Sequence, residues 1–241
     1  MEWAEEGICL SARRHGESAA ILEVLTAGHG RHTGVVRGGG GRRIAPILQP
    51  GAQLALTWRA RLDAHIGAFT VEPLRARAPS LMGDAERLAA LNAFCALALF
   101  ALPEREPQPR LYAGAVALLD QLAGGGDWFG LYLGWERALL EESGYGLDLS
   151  VCALSGAREG LAYVSPRTGR AVTAAAAGEY TPRLLPLPAL LADSSALIGE
   201  PRAQMRDGLR LTGHFLSQVL APALGDRPLP EARARLAARF D

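Results

Sequence analysis

Residues 31–61 carry the run Arg31-His32-Thr33-Gly34-Val35-Val36-Arg37, then Gly38-Gly39-Gly40-Gly41-Arg42-Arg43, and, past Leu48-Gln49-Pro50-Gly51, Ala52-Gln53-Leu54-Ala55-Leu56-Thr57-Trp58-Arg59-Ala60-Arg61. In both outer segments aliphatic or β-branched residues alternate with polar ones, the period of a strand with one buried face. The glycines and the Pro-Gly pair between them mark turns. Outward from this stretch the same pattern predicts strands at Trp3–Ala12 and Ser18–Thr26 on one side and Ile66–Arg77 on the other, punctuated by Arg14-His15-Gly16 and Ala27-Gly28-His29-Gly30. Five short strands in about 75 residues, with no long helix between the early ones, predict a small closed or nearly closed barrel of the OB type. An SH3-like barrel carries the same signature.

From Pro79 onward the period becomes helical. Asp84 is placed to cap a helix reaching about Leu102, with Leu88, Leu91, Cys95, Leu99 and Leu102 at three- and four-residue steps. Pro103, Pro107 and Pro109 break it. Further helices are predicted over Arg110–Leu122, stopped by Gly124-Gly125-Gly126, and from an Asp127 cap to about Ser143, stopped by Gly144 and Gly146. Residues 147–180 are turn-rich, and Leu161–Val164 with Ser165–Val172 predicts a small β-hairpin. Helices resume at Pro188–Asp193, Ala203–Ala221 and Glu231–Phe240. The expected organisation is α+β: a barrel domain over 1–80 and a helical domain over 81–241, with the hairpin region as an excursion.

The 241 residues are 49% hydrophobic and 21% charged, a globular rather than a disordered composition. The longest uncharged apolar run, Leu88–Leu102, is short of the roughly 20 residues that span a bilayer and contains Asn92. The N-terminus is acidic where a secretory signal is basic, so a cytoplasmic protein is expected. Cys9, Cys95 and Cys152 are far apart and odd in number, which excludes a disulfide framework and a complete four-cysteine zinc site. All 25 basic residues are arginine. Arginine forks phosphate and stacks on bases, although a GC-rich genome accounts for most of such a bias. Net charge is zero but unevenly spread: from Ser11 to Arg77 there are 10 arginines against 4 carboxylates, and over 81–150 there are 4 against 10. The basic first third and the acidic middle suit different partners.

The loop Arg37–Arg43 combines glycines that let backbone approach a phosphate with three guanidiniums; it reads equally as a DNA-contact loop or as a solvated hairpin tip. It is no P-loop, since the chain lacks lysine. Arg13, Arg14, Arg31, Arg59 and Arg61 lie in or beside the same predicted strands and are the further candidates for DNA binding, since several gathered on one barrel face would track a phosphate backbone; alternate strand residues face opposite sides, and Arg59 and Arg61 share a side because they are two apart. Trp58 and Phe69 suit the barrel core better than a stacking platform. His29 and His32 flank a glycine turn without a nearby carboxylate or cysteine, a poor metal site. Ser143 lacks the preceding glycine of a nucleophile elbow, and the adjacent Glu141 and Glu142 point to different helix faces. No catalytic residue, cofactor or metal is expected, which points away from an enzyme.

Taken in order, Gly7-Ile8-Cys9-Leu10, His15-Gly16-Glu17, Gly30-Arg31-His32-Thr33-Gly34-Val35-Val36-Arg37-Gly38, Leu48-Gln49-Pro50-Gly51 and Trp58-Arg59-Ala60-Arg61-Leu62 resemble the RecO family across essentially the whole chain. The resemblance implies a DNA repair and recombination mediator that binds single- and double-stranded DNA, anneals strands coated with single-strand-binding protein, and works with RecR to load RecA, associating with the nucleoid during repair. It also implies that the hairpin region corresponds to a zinc finger carried by many members, here degenerate. Only Cys152 remains, Ser155 stands where the first cysteine pair would end, and His214 is far along the chain, so no zinc is expected. Arg202, Arg206 and Arg210 beside Met205 and Leu209 form a candidate dock for the acidic, apolar-ended tail of single-strand-binding protein, although an ordinary solvated helix face reads the same way. Two other readings remain open: an RNA-binding OB protein, and a protein adaptor without nucleic-acid affinity.

Overall fold

Five antiparallel or parallel pairings curl the first third of the chain into a closed barrel of order β1-β2-β3-β5-β4. The strands are β1 (Glu2–His15), β2 (Ala19–Thr26), β3 (Gly30–Val36), β4 (Gln53–Arg59) and β5 (Ala68–Arg75). The computed structural model describes residues 1–62, 64–192 and 200–241. At 14 residues β1 is long enough to serve two neighbours, pairing with β4 over Glu2–Ile8 and with β2 over Gly7–His15. A register shift between Cys9 and Ser11 bends it from one neighbour to the other, as bulges do in small barrels. Closure comes from the parallel pairing of β3 with β5, Val35 with Ala68 and Val36 with Phe69. This is the five-stranded OB-type arrangement.

Alternation decides which side chains point inward. Cys9, Leu22, Val24, Leu54, Leu56 and Trp58 fill the barrel, while β3 alternates buried and half-buried residues along its whole length. Burial removes apolar surface from water at roughly 25 cal/mol per Å². Each expected strand exists, with its ends displaced by up to three residues.

Three helices follow: α1 (Ala78–Leu81), α2 (Ala85–Ala101) and α3 (Pro109–Gly124). Asp84 caps α2 by accepting from the Glu86 and Arg87 amides, and α3 ends on Gly125 in the left-handed conformation at φ 77°. Arg87 then clasps the C-terminal carbonyls of α3, donating to Gln121, Leu122 and Gly126, groups a helix end leaves unsatisfied. Arg77 is 1% exposed. Its guanidinium donates to Asp120 on α3 at 2.7 Å, to the Gly51 carbonyl at 2.9 Å and to Gln53 at 3.2 Å. Arg75 also pairs with Asp120. Burial pulls the Asp120 carboxyl up, and the hydrogen bonds from Arg75 and Arg77 outweigh it, leaving the group below the usual carboxylate range.

The chain divides into two compact units, Met1–Gly126 with Pro230–Arg233, and Asp127–Leu229 with Ala234–Asp241. The second contains α4 (Phe129–Glu142), β6 (Leu161–Val164), β7 (Ala171–Thr173), α5 (Ala174–Ala177), β8 (Leu185–Pro186), α6 (Pro201–Phe215) and α7 (Ala221–Ala223). The helix α8 (Glu231–Ala237) runs across the division. The expected hairpin is β6–β7, and β8 adds a third strand in the order β7-β6-β8. Cys152 Sγ accepts from the Ser155 and Thr173 amides, both at 3.4 Å. The hydrogen bond from Ser155, reinforced by that from Thr173, lowers the thiol to about 6. Among the described residues no group of three His, Cys, Asp or Glu side chains is placed to hold a metal ion, and no helix is long and apolar enough to cross a membrane.

Two helix expectations change. Residues 188–192 form turns rather than a helix, closed by Leu191 and Ala192 amides on the Pro188 carbonyl; Asp193 lies outside the described residues. The helix expected over Ala203–Ala221 starts at Pro201 and widens into a π-turn at Leu216–Leu220. Pro222 supplies the reason, because it has no N–H to donate back into the preceding turn and its ring crowds it.

Candidate nucleic-acid interface

Arg37 immediately follows β3, Arg59 closes β4, and Arg61 lies two residues beyond, in a bend. All three line an open groove of about 880 Å³ floored by Val36, Ile44, Ala68 and Phe69. They also line an adjoining concavity of about 570 Å³ that reaches His65 and Ile66. Arg59 Nη2 is 2.7 Å from Glu2 Oε1, its cross-strand partner. The hydrogen bond from Arg59 holds the Glu2 carboxyl below the usual carboxylate range. Arg37 and Arg61 are exposed and have no carboxylate partner among the described residues.

A second basic rim adjoins Arg37. The tetraglycine is tied down rather than mobile: Gly39 donates to Val36, Gly40 to Ser18, and Gly41 to Gly38, all by backbone amides at 2.9–3.1 Å. Gly39 is required there, because a Cβ would stand 2.7 Å from the Ala20 Cβ. Arg14 donates to the Gly40 carbonyl at 3.3 Å. Arg42 and Arg43 are exposed on this loop without an ion-pair partner among the described residues, whereas Arg13, next to Arg14 in β1, is exposed on the opposite side of the strand. Held backbone presents such charges with little ordering cost on binding.

Not every sequence candidate joins them. Arg31 has a side chain only 17% exposed; it donates to the Leu102 carbonyl at 2.8 Å and pairs with Glu23 and Glu104 at 3.2 and 3.4 Å. Its guanidinium braces the segment after α2 against β3 instead of facing solvent. Trp58 and Phe69 are 1% and 4% exposed and belong to the core. His29 stacks on Trp3 at 4.1 Å and binds Glu5 at 2.8 Å, and His32 is buried among aromatic rings.

On α6, Arg206 pairs with Asp207 at 3.0 Å, Arg202 lies over the Phe240 ring at 4.7 Å and donates to the Arg239 carbonyl, and Arg210 is exposed. Met205 and Leu209, the expected apolar neighbours of a dock, are 0% and 2% exposed.

Sequence reading missed Arg105. At φ 62° it donates its amide to the Arg31 carbonyl and its guanidinium to the His65 carbonyl, both at 2.7 Å, with its charge 5.7 Å from the Trp58 ring centre. The prolines at 103, 107 and 109 signal only that a helix ends there.

The family model described as Recombination protein O N terminal matches residues 1–77, and that described as Recombination protein O C terminal matches residues 82–228. The chain is similar to the DNA repair protein RecO of Cereibacter sphaeroides, 61% identical over 98% of this chain and 97% of the relative. It is also similar to the proteins of that name from Roseobacter denitrificans, 57% identical over 100% of this chain and 98% of the relative, and Dinoroseobacter shibae, 56% identical over 98% and 96%.

Proposed function

The chain belongs to the RecO family of DNA repair proteins, and from that premise we propose that it binds DNA through the groove and rim of its barrel and acts as a recombination mediator without catalysing a bond change itself. The carrying observation is that Arg37, Arg59 and Arg61 converge on one groove, two of them without a carboxylate partner among the described residues. A neutral protein thereby offers a polyanion a positive face. Arg14, Arg42 and Arg43 extend it to a second strand or to the far side of a duplex, the arrangement that annealing requires, and Arg13 lies on the other side of β1. RecR, single-strand-binding protein and, through them, RecA are the expected partners, in the cytoplasm at the nucleoid. Arg202, Arg206 and Arg210 would supply only the charged part of a dock for the acidic tail, since Met205 and Leu209 are buried and offer it no apolar wall.

Binding to backbone phosphate releases counterions, with a logarithmic salt slope near −0.9 per phosphate on duplex and about −0.7 on single strands. Replacing Arg37, Arg59 and Arg61 by alanine is expected to weaken binding to unrelated DNA sequences alike and to flatten the slope by about two to three. Fluorescence polarisation at several salt concentrations, with a matched RNA beside the DNA, tests this. An unchanged slope removes the groove from the interface, and a clear preference for the RNA replaces the DNA reading.

A further inference from the structure

Residues 65–67, which lead into β5, rim the groove and are held at three points. Trp58 Nε1 donates to the Ile66 carbonyl at 3.0 Å, Arg105 to the His65 carbonyl at 2.7 Å, and the Val35 amide to the Gly67 carbonyl at 3.0 Å. Gly67, at φ +66°, lies so close to the Trp58 indole that a Cβ would be 2.4 Å from Nε1. Residues braced in this way have little freedom to fold their side chains away. Yet Ile66 among them is 45% exposed, and Leu62, whose carbonyl accepts from the His65 amide at 3.1 Å, is 57% exposed.

Ile66 lines the concavity shared by Arg37, Arg59, Arg61 and His65, and Leu62 is next to Arg61 in the chain. Large aliphatic side chains left in water contribute nothing to the fold. Beside cations they suit a ligand that is anionic along its length and apolar on its accessible faces. A single nucleic-acid strand has that character, whereas a duplex stacks its bases out of reach. The groove and its adjoining concavity are open rather than enclosed, which favours a strand over a peptide tail.

We propose that Leu62 and Ile66 contact unpaired bases and give the groove its preference for single-stranded over duplex DNA. The inference rests on the reading of the groove as a DNA interface.

The test compares the full chain with L62S/I66S and with R37A/R59A/R61A, titrating an oligothymidylate and a blunt duplex of equal length. The apolar variant is expected to lose about five- to tenfold in affinity for the single strand, less than about twofold for the duplex, and to keep the parent salt slope, since no phosphate contact is removed. Both residues are exposed, so its thermal midpoint is expected to match the parent. Equal losses on both probes, or none, overturn the inference, as does loss of an acidic, apolar-ended peptide in place of the single strand. An arginine variant that keeps its affinity for both probes overturns the DNA interface and this inference together. Loss of both probes by the arginine variant, with neither lost by the apolar one, overturns this inference alone.

Discussion

The groove face of the barrel and the side that meets α2 and α3 use the same residue type for opposite ends. On the groove, Arg37 and Arg61 stand in water without a carboxylate partner among the described residues. On the helix side, Arg31 and Arg77 are enclosed and neutralised, by Glu23 and Glu104 in one case and Asp120 in the other. Guanidinium content therefore says little about where a polyanion binds. What decides is whether the fold brings a carboxylate within reach, and on the helix side the acidic middle of the sequence provides Glu104 and Asp120.

The contrast breaks most visibly at Arg77. Arg77→Ala leaves the Gly51 carbonyl and Gln53 Oε1 without this donor and Asp120 with Arg75 alone, and is expected to cost about 2–4 kcal/mol, read as a lowered urea midpoint, while the salt slope on DNA stays that of the parent. A slope flattened by about one would place Arg77 among the phosphate contacts and erase the distinction. A smaller, pH-dependent effect is expected at Asp120. Its folded pKa lies below its unfolded value, so its stabilisation is present above the ordinary carboxylate range and is lost as pH falls through the lowered value. Asp120→Asn should remove that contribution, giving a stability profile that changes less between neutral and acid pH.

The groove side gives the weaker tests. Arg42→Ala with Arg43→Ala is expected to weaken DNA binding roughly three- to tenfold at low salt and to flatten the slope by about one to two, with an unchanged unfolding midpoint. Glu2→Gln frees Arg59 from its carboxylate partner among the described residues and is expected to tighten DNA binding by up to about fivefold while steepening the slope by less than about one. Weaker binding by that variant would mean that Glu2 positions Arg59 instead of competing for it.

The barrel was legible because its information is local. Alternation in Arg31–Arg37 and Ala52–Arg61 and in the flanking stretches, with glycine punctuation, placed all five strands; Arg59 and Arg61 do line one groove, but β4 ends at Arg59, so strand parity is not what brings Arg61 there. Asp84 and the Gly124–Gly126 stop were equally local signals. What escaped is carried by distant contacts. Arg31 meets Leu102 and Glu104, 71 and 73 residues away, and nothing in Arg75-Ala76-Arg77 tells that the second arginine turns inward to Asp120. The tetraglycine reads as slack chain until Ser18 and Val36 are seen holding it. Arg105 bracing the β4–β5 loop has no signature at all in a proline-rich connector. The π-turn could have been suspected from Pro222.

The inward turn of Arg77 has a bearing on modularity. The match to the N-terminal family model stops at this residue, yet its neutralising partner arrives 43 positions later, and the brace from Arg105 arrives later still than that boundary. The barrel is thus not a cassette that can be excised or grafted at its sequence border. Any transplant has to bring α3 and the proline-rich connector with it, or supply an acid where Asp120 now stands.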